Sequence, residues 1–373
     1  MKALNPGHYL MGCRLDVWLR LLRDNRGTMD PRRLPQRALL TLTAAALSPF
    51  ALAEKQLYKG RIAAAEPTRD PVFILGHWRS GTTYLQNILS RDAQFGWADP
   101  VGTTLFPYRF LLGRALRGGV GRGLKDGRPM DNVQYSLELP MEETFALSTI
   151  STRSIIHMIA FPAGYERYIR QAFPQELPPA EQEDWRRAYS YVIRKLTLAH
   201  DGRQLLLKSP DNTAHIALLQ QLYPDARYIN IHRDPYRTIA STIHMFRVQM
   251  DHLRLTQEPE NLDEIIEDAV IDIFRRMYEQ LFALRDSFPP NRWVDVPYAE
   301  FCARPVESLR DIYDRLELSG FDEARPAFEA YAAEQKDYVK NRFALSPTLC
   351  RKINASLDFY FTRYGYEKQE VPD

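Results

Sequence analysis

Residues 71–75, Pro71-Val72-Phe73-Ile74-Leu75, form a short continuous apolar run bounded by proline and glycine. A run of that length with β-branched and aromatic members predicts a buried strand. Residues 76–81 form a tight loop opened and closed by glycine. From Thr82 the spacing turns helical, with Leu85, Ile88 and Leu89 on one side. Strand, glycine-bounded loop, helix is the opening of a phosphate-binding α/β domain. Three more strands are predicted: 205–208, ending in Lys208-Ser209-Pro210; 227–232, ending in Arg233-Asp234-Pro235; and 293–296. Helices are predicted at 181–200, where Trp185, Tyr189, Val192, Ile193 and Leu196 share a side, at 213–222 and at 262–287. Asp234 suits the N-cap of a further helix and Pro235 its first position. Helices fill most of the rest to Tyr366. Residues 113–130 are rich in glycine and arginine and read as a mobile loop. Strands alternating with helices predict a parallel sheet covered on both faces.

Residues 1–68 have no such alternation and read as a helical N-terminal arm, with 69–373 as one α/β domain. Val17, Trp18, Leu21 and Leu22 recur at helical spacing beside Arg14, Arg20 and Arg23. Residues 38–57 predict a second helix. Two readings of the arm stay open. It packs on the main domain, or it lies on a membrane surface or an apolar acceptor, as basic amphipathic segments do.

Composition narrows the function classes. Among 373 residues, 45% are hydrophobic and 26% charged, and the formal net charge is +2. This is ordinary globular composition with no global field pointing to nucleic acid. Any anion site must therefore be local, built from a few placed cations and backbone N–H groups. Cys13, Cys302 and Cys350 are odd in number, far apart and not at metal-ligand spacing, which fits a reducing compartment. The most apolar N-terminal stretch, residues 38–53, is shorter than the ~20 residues needed to span a bilayer. The expected location is cytoplasmic, with membrane association only through the arm.

The chemistry begins at Gly76-His77-Trp78-Arg79-Ser80-Gly81-Thr82-Thr83. Its spacing matches the nucleotide-binding pattern G-x-x-x-x-G-K-[ST], except that Thr82 stands where the lysine belongs. Such a loop curls successive N–H groups inward around an anion, and the following helix adds the positive end of its dipole. In nucleoside triphosphatases the lysine and Mg²⁺ neutralise the β- and γ-phosphates. Here the cation in the loop is Arg79, and Asp234, the one candidate Mg²⁺ ligand at a strand end, suits a cap better. A donor of lower charge with no metal fits. A sulfuryl group carries one negative charge where a γ-phosphoryl carries about two, so arginine and lysine suffice to stabilise the departing oxygen.

At these residues the chain resembles the sulfotransferases that use PAPS (3'-phosphoadenosine 5'-phosphosulfate), in particular a bacterial branch. Residues 71–89 look like the family's 5'-phosphosulfate loop. The resemblance implies that Arg79, Ser80, Gly81, Thr82 and Thr83 bind that group. Arg233, at a strand end, with Ser241 eight residues later on the next helix, has the spacing of the 3'-phosphate site. An arginine fork and a serine hydroxyl are sensible phosphate partners in their own right. By the same resemblance, Lys208 lies close to the bridging oxygen of the donor. Softer similarities are Arg128-Pro129-Met130-Asp131-Asn132, residues 140–147, Phe161-Pro162 and Val296-Pro297-Tyr298-Ala299-Glu300. The resemblance implies a P-loop-like three-layer fold, with a central parallel sheet flanked by helices.

The acceptor hydroxyl must lose its proton to a base. In the family's cytosolic branch the base is a histidine two residues after the strand lysine, but that position here is Pro210. Glu142 is the first candidate, followed by Glu143 and Asp99. Asp211 also stays open, with His157 and His77 as outside choices. Lys336, Lys340 and Arg342, near Tyr338, are basic residues of the kind that close over nucleotide in the family, or a solvated helix face.

The reading is thus a metal-independent transferase moving a sulfuryl group from PAPS to a hydroxyl of a small-molecule, lipid-like or carbohydrate acceptor. Arg79 and Lys208 stabilise the departing oxygen, and Glu142 acts as base. The alternatives are a P-loop kinase or nucleoside triphosphatase, and a non-catalytic nucleotide-binding module. Neither the acceptor nor the oligomeric state is legible.

Overall fold

The computed structural model describes residues 4–124, 130, 136–336 and 343–370. Five strands form one parallel sheet: β1 (Val72–Leu75), β2 (Phe95–Gly96), β3 (Gln204–Leu207), β4 (Arg227–His232) and β5 (Trp293–Pro297), in the order β2-β3-β1-β4-β5. β1 is central and pairs Val72 with Leu206 on one side and Arg227 on the other. All four of its residues are buried. Strand periodicity divides them between two cores. Phe73 and Leu75, with Leu205 and Leu207, face one cluster. Val72 and Ile74, with Leu206, Ile229 and Val294, face the other. The predicted three-layer α/β arrangement is present. The strand absent from the sequence reading, β2, is a two-residue edge strand too short for any periodicity to register.

Chain order places the functional rim. From β1 the chain goes out to the edge strand β2, returns to β3 beside β1, then crosses to the other side of β1 to form β4. Parallel strands reversing their direction of travel leave a crevice at their carboxyl ends, where such sheets bind ligands. The segments leaving β1, β3 and β4 begin with Gly76, Lys208 and Arg233. Helix α3 (Thr82–Leu89) follows the first of them. As anticipated, the Asp234 carboxylate caps the helix Pro235–Leu253, accepting the Arg237 N–H at 2.9 Å.

The N-terminal segment shares the larger core. α1 (Leu15–Asp24) buries Val17, Trp18 and Leu21 there, and the Trp18 indole N–H donates to Thr41 Oγ1 at 2.9 Å. α2 (Leu34–Ala63) runs 30 residues through Pro49. An internal proline costs about 3 kcal/mol in an isolated helix. Burial of Leu40, Ala44 and Ile62 opposes that cost. So does an ion pair between Glu54 and Lys195, both fully buried. Removing one member of such a pair leaves an uncompensated charge and costs about 3–5 kcal/mol.

Two expectations are corrected. The glycine- and arginine-rich stretch is helical as far as Leu124, where it forms the second part of α5 (Arg109–Leu124), and is not a loop there. Its small residues allow close packing: a Cβ on Gly113 would lie 3.3 Å from Val101, and Leu112 and Val120, like Leu47 and Ala51 of α2, pack on the cluster of Val101, Leu105 and Tyr108. Tertiary contact here overrides weak helix propensity. The helix predicted at 213–222 starts later, at Ile216, after a 3₁₀ turn over Pro210–Ala214. In the segment 128–132 only Met130 is described. Tyr338, Lys340 and Arg342 lie outside the described residues, and Lys336 lies just inside them.

Candidate active site

The loop after β1 is shaped by two glycines in backbone conformations that side chains rarely adopt. Gly76 has φ 135°, and a Cβ there would meet Ile231 O at 2.5 Å and Ser80 Oγ at 2.6 Å. Gly81 has φ 109°, and its Cβ would sit 2.3 Å from the Tyr298 ring. Arg79 itself has φ 70°. A non-glycine residue held there costs on the order of 1–3 kcal/mol, a strain concentrated at binding sites. The loop is braced from two sides. Gly76 N–H donates to Thr213 Oγ1 at 2.8 Å, and Thr242 Oγ1–H donates to Trp78 O at 3.0 Å.

Within this frame the structure brings the two predicted nucleotide motifs together. Arg79 Nε–H donates to Ser241 Oγ at 2.9 Å, and Arg233 Nη1–H donates to the Arg79 carbonyl at 3.0 Å. The Arg233 guanidinium lies over the Tyr298 ring, 4.4 Å from its centroid. Tyr298 therefore supports both Gly81 and Arg233. It stands just past β5 in a segment noted only as a soft similarity, and sequence reasoning assigned it no part. Ser80 Oγ is buried and has no hydrogen-bond partner among the described residues. A buried hydroxyl left unsatisfied costs about 1–3 kcal/mol. With the first-turn N–H groups of α3 at Thr82 and Thr83, it suits an anionic oxygen. The residues present therefore fit a phosphate or sulfate ester at the loop.

Lys208 approaches from β3 and is almost fully buried. Its ammonium donates to Glu142 Oε1 at 2.6 Å and to Thr83 Oγ1 at 3.4 Å. Glu142 stands at the N-cap of α6 (Glu143–Ile150) without capping it; its side chain reaches across to Lys208 instead.

The other base candidates have different surroundings. Glu143 is fully buried, and its carboxylate accepts the Lys208 backbone N–H at 3.2 Å, the Tyr189 hydroxyl at 3.2 Å and the Asn212 amide. Burial pushes its carboxyl up, and these donors oppose the shift. Asp211 accepts Thr144 Oγ1–H at 2.9 Å; burial, then the neighbouring Glu143 carboxylate, pushes it up to about 7. Thr144 N–H also donates to Ser209 Oγ at 3.1 Å. The two buried acids thus join the start of α6 to the segment after β3 and hold Glu142 and Lys208 in register. Asp99 caps the short helix α4 (Pro100–Thr104) and pairs with Arg109 at 2.7 Å. His157 is buried, its Nε2 on Ser151 O at 2.9 Å, and burial lowers its pKa to about 4. His77 is likewise buried and lowered to about 3, its Nδ1 on Trp78 O at 3.0 Å. Asp99 and both rings are thus each engaged with partners other than Lys208.

What this arrangement can do is hold a ligand that carries two separate anionic ester groups. It offers arginine and serine at one end, backbone N–H groups in the middle, and a buried lysine beside a carboxylate at the other. Among the described residues, no group of three or more His, Cys, Asp or Glu side chains is placed to hold a metal ion. Known proteins agree with the chemistry. Two mycobacterial proteins, both named omega-hydroxy-beta-dihydromenaquinone-9 sulfotransferase Stf3, from Mycobacterium bovis and Mycobacterium tuberculosis, are each 28% identical over 361 residues, covering 96% of this chain and 91% of their own. The fold is similar to that of sulfotransferase STF9 from Mycobacterium avium, with TM-score 0.68, 18% identity and coverage of 97% and 98% of the two chains. It is also similar to sulfotransferase STF1 from Mycobacterium tuberculosis, with TM-score 0.65, 19% identity and coverage of 91% and 90%. The model of the Sulfotransferase family matches residues 71–323, from the first strand through the glycine loop, Lys208, Arg233 and Tyr298. The chain therefore belongs to the sulfotransferase family, and it is a transferase of sulfuryl groups.

Proposed function

We propose that the protein transfers a sulfuryl group from PAPS to the hydroxyl of a lipid-like alcohol. The observation that carries the choice of donor is the bridge made by Arg79. One side chain joins the glycine loop to Ser241, and its carbonyl joins the loop to Arg233. That coupling suits a nucleotide with anionic groups at two positions, one in the loop and one between Arg233 and Ser241. The choice of acceptor class is supported by the relatives, which are named for a hydroxylated menaquinone and align over nearly the whole chain.

The donor supplies a sulfuryl group already bonded to a good leaving group. The protein's residues do the rest. Arg79 and the loop N–H groups hold the sulfonate. Glu142 takes the proton of the acceptor hydroxyl as the new O–S bond forms. The old S–O bond breaks, and its electron pair passes to the bridging oxygen of the nucleotide, where Lys208 and Arg79 stabilise it. The Lys208–Glu142 pair is then a resting arrangement: the ammonium turns from Glu142 toward the bridging oxygen and frees the carboxylate to act as base.

The test is mass spectrometry after incubation with isotopically labelled PAPS and separate pools of hydroxylated prenyl lipids, small phenols and carbohydrates. Labelled lipid product is expected. Label confined to phenols or sugars overturns the acceptor class. Label in no pool, with no thermal protection by adenosine 3',5'-bisphosphate in the absence of Mg²⁺, overturns the donor.

A further inference from the structure

The outward side of α2 carries an unusual surface. Leu34, Leu42, Phe50, Leu52 and Leu57 are each between 42% and 69% exposed, although the opposite side of the helix is buried in the core. Scattered exposed leucines need no explanation, but five on one side of one helix form a strip about 35 Å long, at 1.5 Å per residue. The residues between them on that side, Ala38, Ala45, Ala46, Pro49 and Ala53, are also exposed and uncharged.

Within α2 and α5 themselves the exposed charges have one sign. The only acid in α2 is Glu54, which is buried against Lys195, whereas Lys55, Lys59 and Arg61 are exposed at its C-terminal end. The neighbouring α5 packs on α2 through Phe110 stacked on Tyr58, ring centroids 4.6 Å apart. It has no acid of its own and adds Arg114 and Arg122, both exposed, and Arg117, also exposed but paired with Glu138 at 3.0 Å. The chain as a whole balances 49 basic against 47 acidic residues, so this local excess is not a reflection of composition. No helix of the described residues is long and apolar enough to cross a membrane, and α2 is pinned to the core by its other face.

We propose that this face of α2, with the arginines of α5, is a docking surface for an anionic lipid bilayer. The leucines and Phe50 enter the interfacial region while the lysines and arginines meet the headgroups. Apolar strip and one-signed flank together match an anionic membrane, whereas a second copy of the chain would bring a like-charged flank against its own. The surface lies near the site. Leu47 and Ala51 of α2 pack on Val101 and Leu105 at α4, and Met141, beside Glu142, donates its N–H to Ala98 O at 2.7 Å just before α4. Docking there places the catalytic rim close to where a lipid alcohol resides, but the surface is read from α2 and α5 alone and does not depend on the acceptor.

The test is co-sedimentation of the full chain with vesicles of phosphatidylcholine, with and without phosphatidylglycerol, in the absence of donor and acceptor. Binding to the anionic vesicles is expected, falling at high salt as the surface charge is screened. The double substitution Leu42→Glu, Leu57→Glu should weaken it by about tenfold or more while leaving thermal stability unchanged, since both side chains are exposed. Lys55→Gln with Lys59→Gln should cut it by roughly tenfold or more at low salt. Absence of binding by the unaltered chain, equal binding to uncharged vesicles, or full binding by the Leu42→Glu, Leu57→Glu variant overturns the proposal. So does a dimer in light scattering that this variant converts to monomer without any effect on vesicles. Transfer to a short water-soluble alcohol, measured alongside, should be the same in both variants. Its absence throughout would count against the proposed reaction and leave the vesicle result standing.

Discussion

The ammonium of Lys208 lies 2.6 Å from a carboxylate oxygen of Glu142, and the two reach this contact from different layers, one off a strand end and one off a helix start. Lysine is nearly buried and the glutamate side chain is 18% exposed, so the pair is partly shielded from water and open on the glutamate side. This asymmetry suits a base that must meet an incoming hydroxyl and a cation that must stay with the nucleotide.

Glu142→Gln should therefore lower the transfer rate by about 10²–10⁴-fold, the usual contribution of a positioned general base. Affinity for adenosine 3',5'-bisphosphate should barely change. Single-turnover kinetics and nucleotide titration measure the two separately. If Lys208→Ala and Glu142→Gln act on one step, the double variant should lose much less than the product of the single losses.

Arg79→Ala should abolish most transfer with little effect on melting temperature, because its side chain is only partly buried, in a loop at the sheet rim, where its Nε–H donates to Ser241. Loss of less than about tenfold, or ~1.4 kcal/mol in the barrier, would remove Arg79 from the transition state.

Arg233→Ala should weaken binding of the bisphosphate by about 10- to 100-fold, in line with about 1.5–3 kcal/mol for a hydrogen bond to a charged group. Isothermal titration reads this directly. An unchanged dissociation constant would place the 3'-phosphate elsewhere.

Asp211 gives a pH signature. Its folded pKa is raised to about 7, above an unfolded value near 4, so the folded state holds a proton that the unfolded state has released. The stability from this group is full below about pH 4 and is lost as pH rises through about 7. Urea unfolding should show stability falling across that window. Asp211→Asn, which keeps an acceptor for Thr144, should flatten the fall. A slope identical in both proteins would mean that Asp211 is ionised in the fold at neutral pH.

Much of the fold was legible because its strands are short apolar runs closed by Gly, Lys-Ser-Pro or Arg-Asp-Pro. Those endings mark where a parallel strand leaves the sheet. β4 and the helix capped by Asp234 follow from such local signals alone. β2 did not, since two residues carry no pattern. α5 did not, since five glycines argue locally against a helix that packing on α2 and Val101 sustains.

Within the site, the glycine loop nominated Arg79, and resemblance to the family's motifs nominated Lys208, Arg233 and Ser241, because these motifs are local features of the chain. Sequence reasoning put Glu142 ahead of Glu143, adjacent on one helix start, but held no observation of which one faces the lysine. The fold separates them: one carboxylate turns to Lys208 at the cleft, and the other is sealed among Tyr189, Asn212 and the Lys208 backbone. Nor could spacing place Tyr298 beneath both Gly81 and Arg233, since both contacts join segments far apart in the chain, that with Gly81 over 200 positions apart. Local chemistry, then, determined which residues can bind an anion and where strands begin and end. Only the tertiary structure decided which of two neighbouring acids meets the lysine and which face of α2 is left apolar toward solvent, because burial and partnership are set by what the rest of the chain packs against each side.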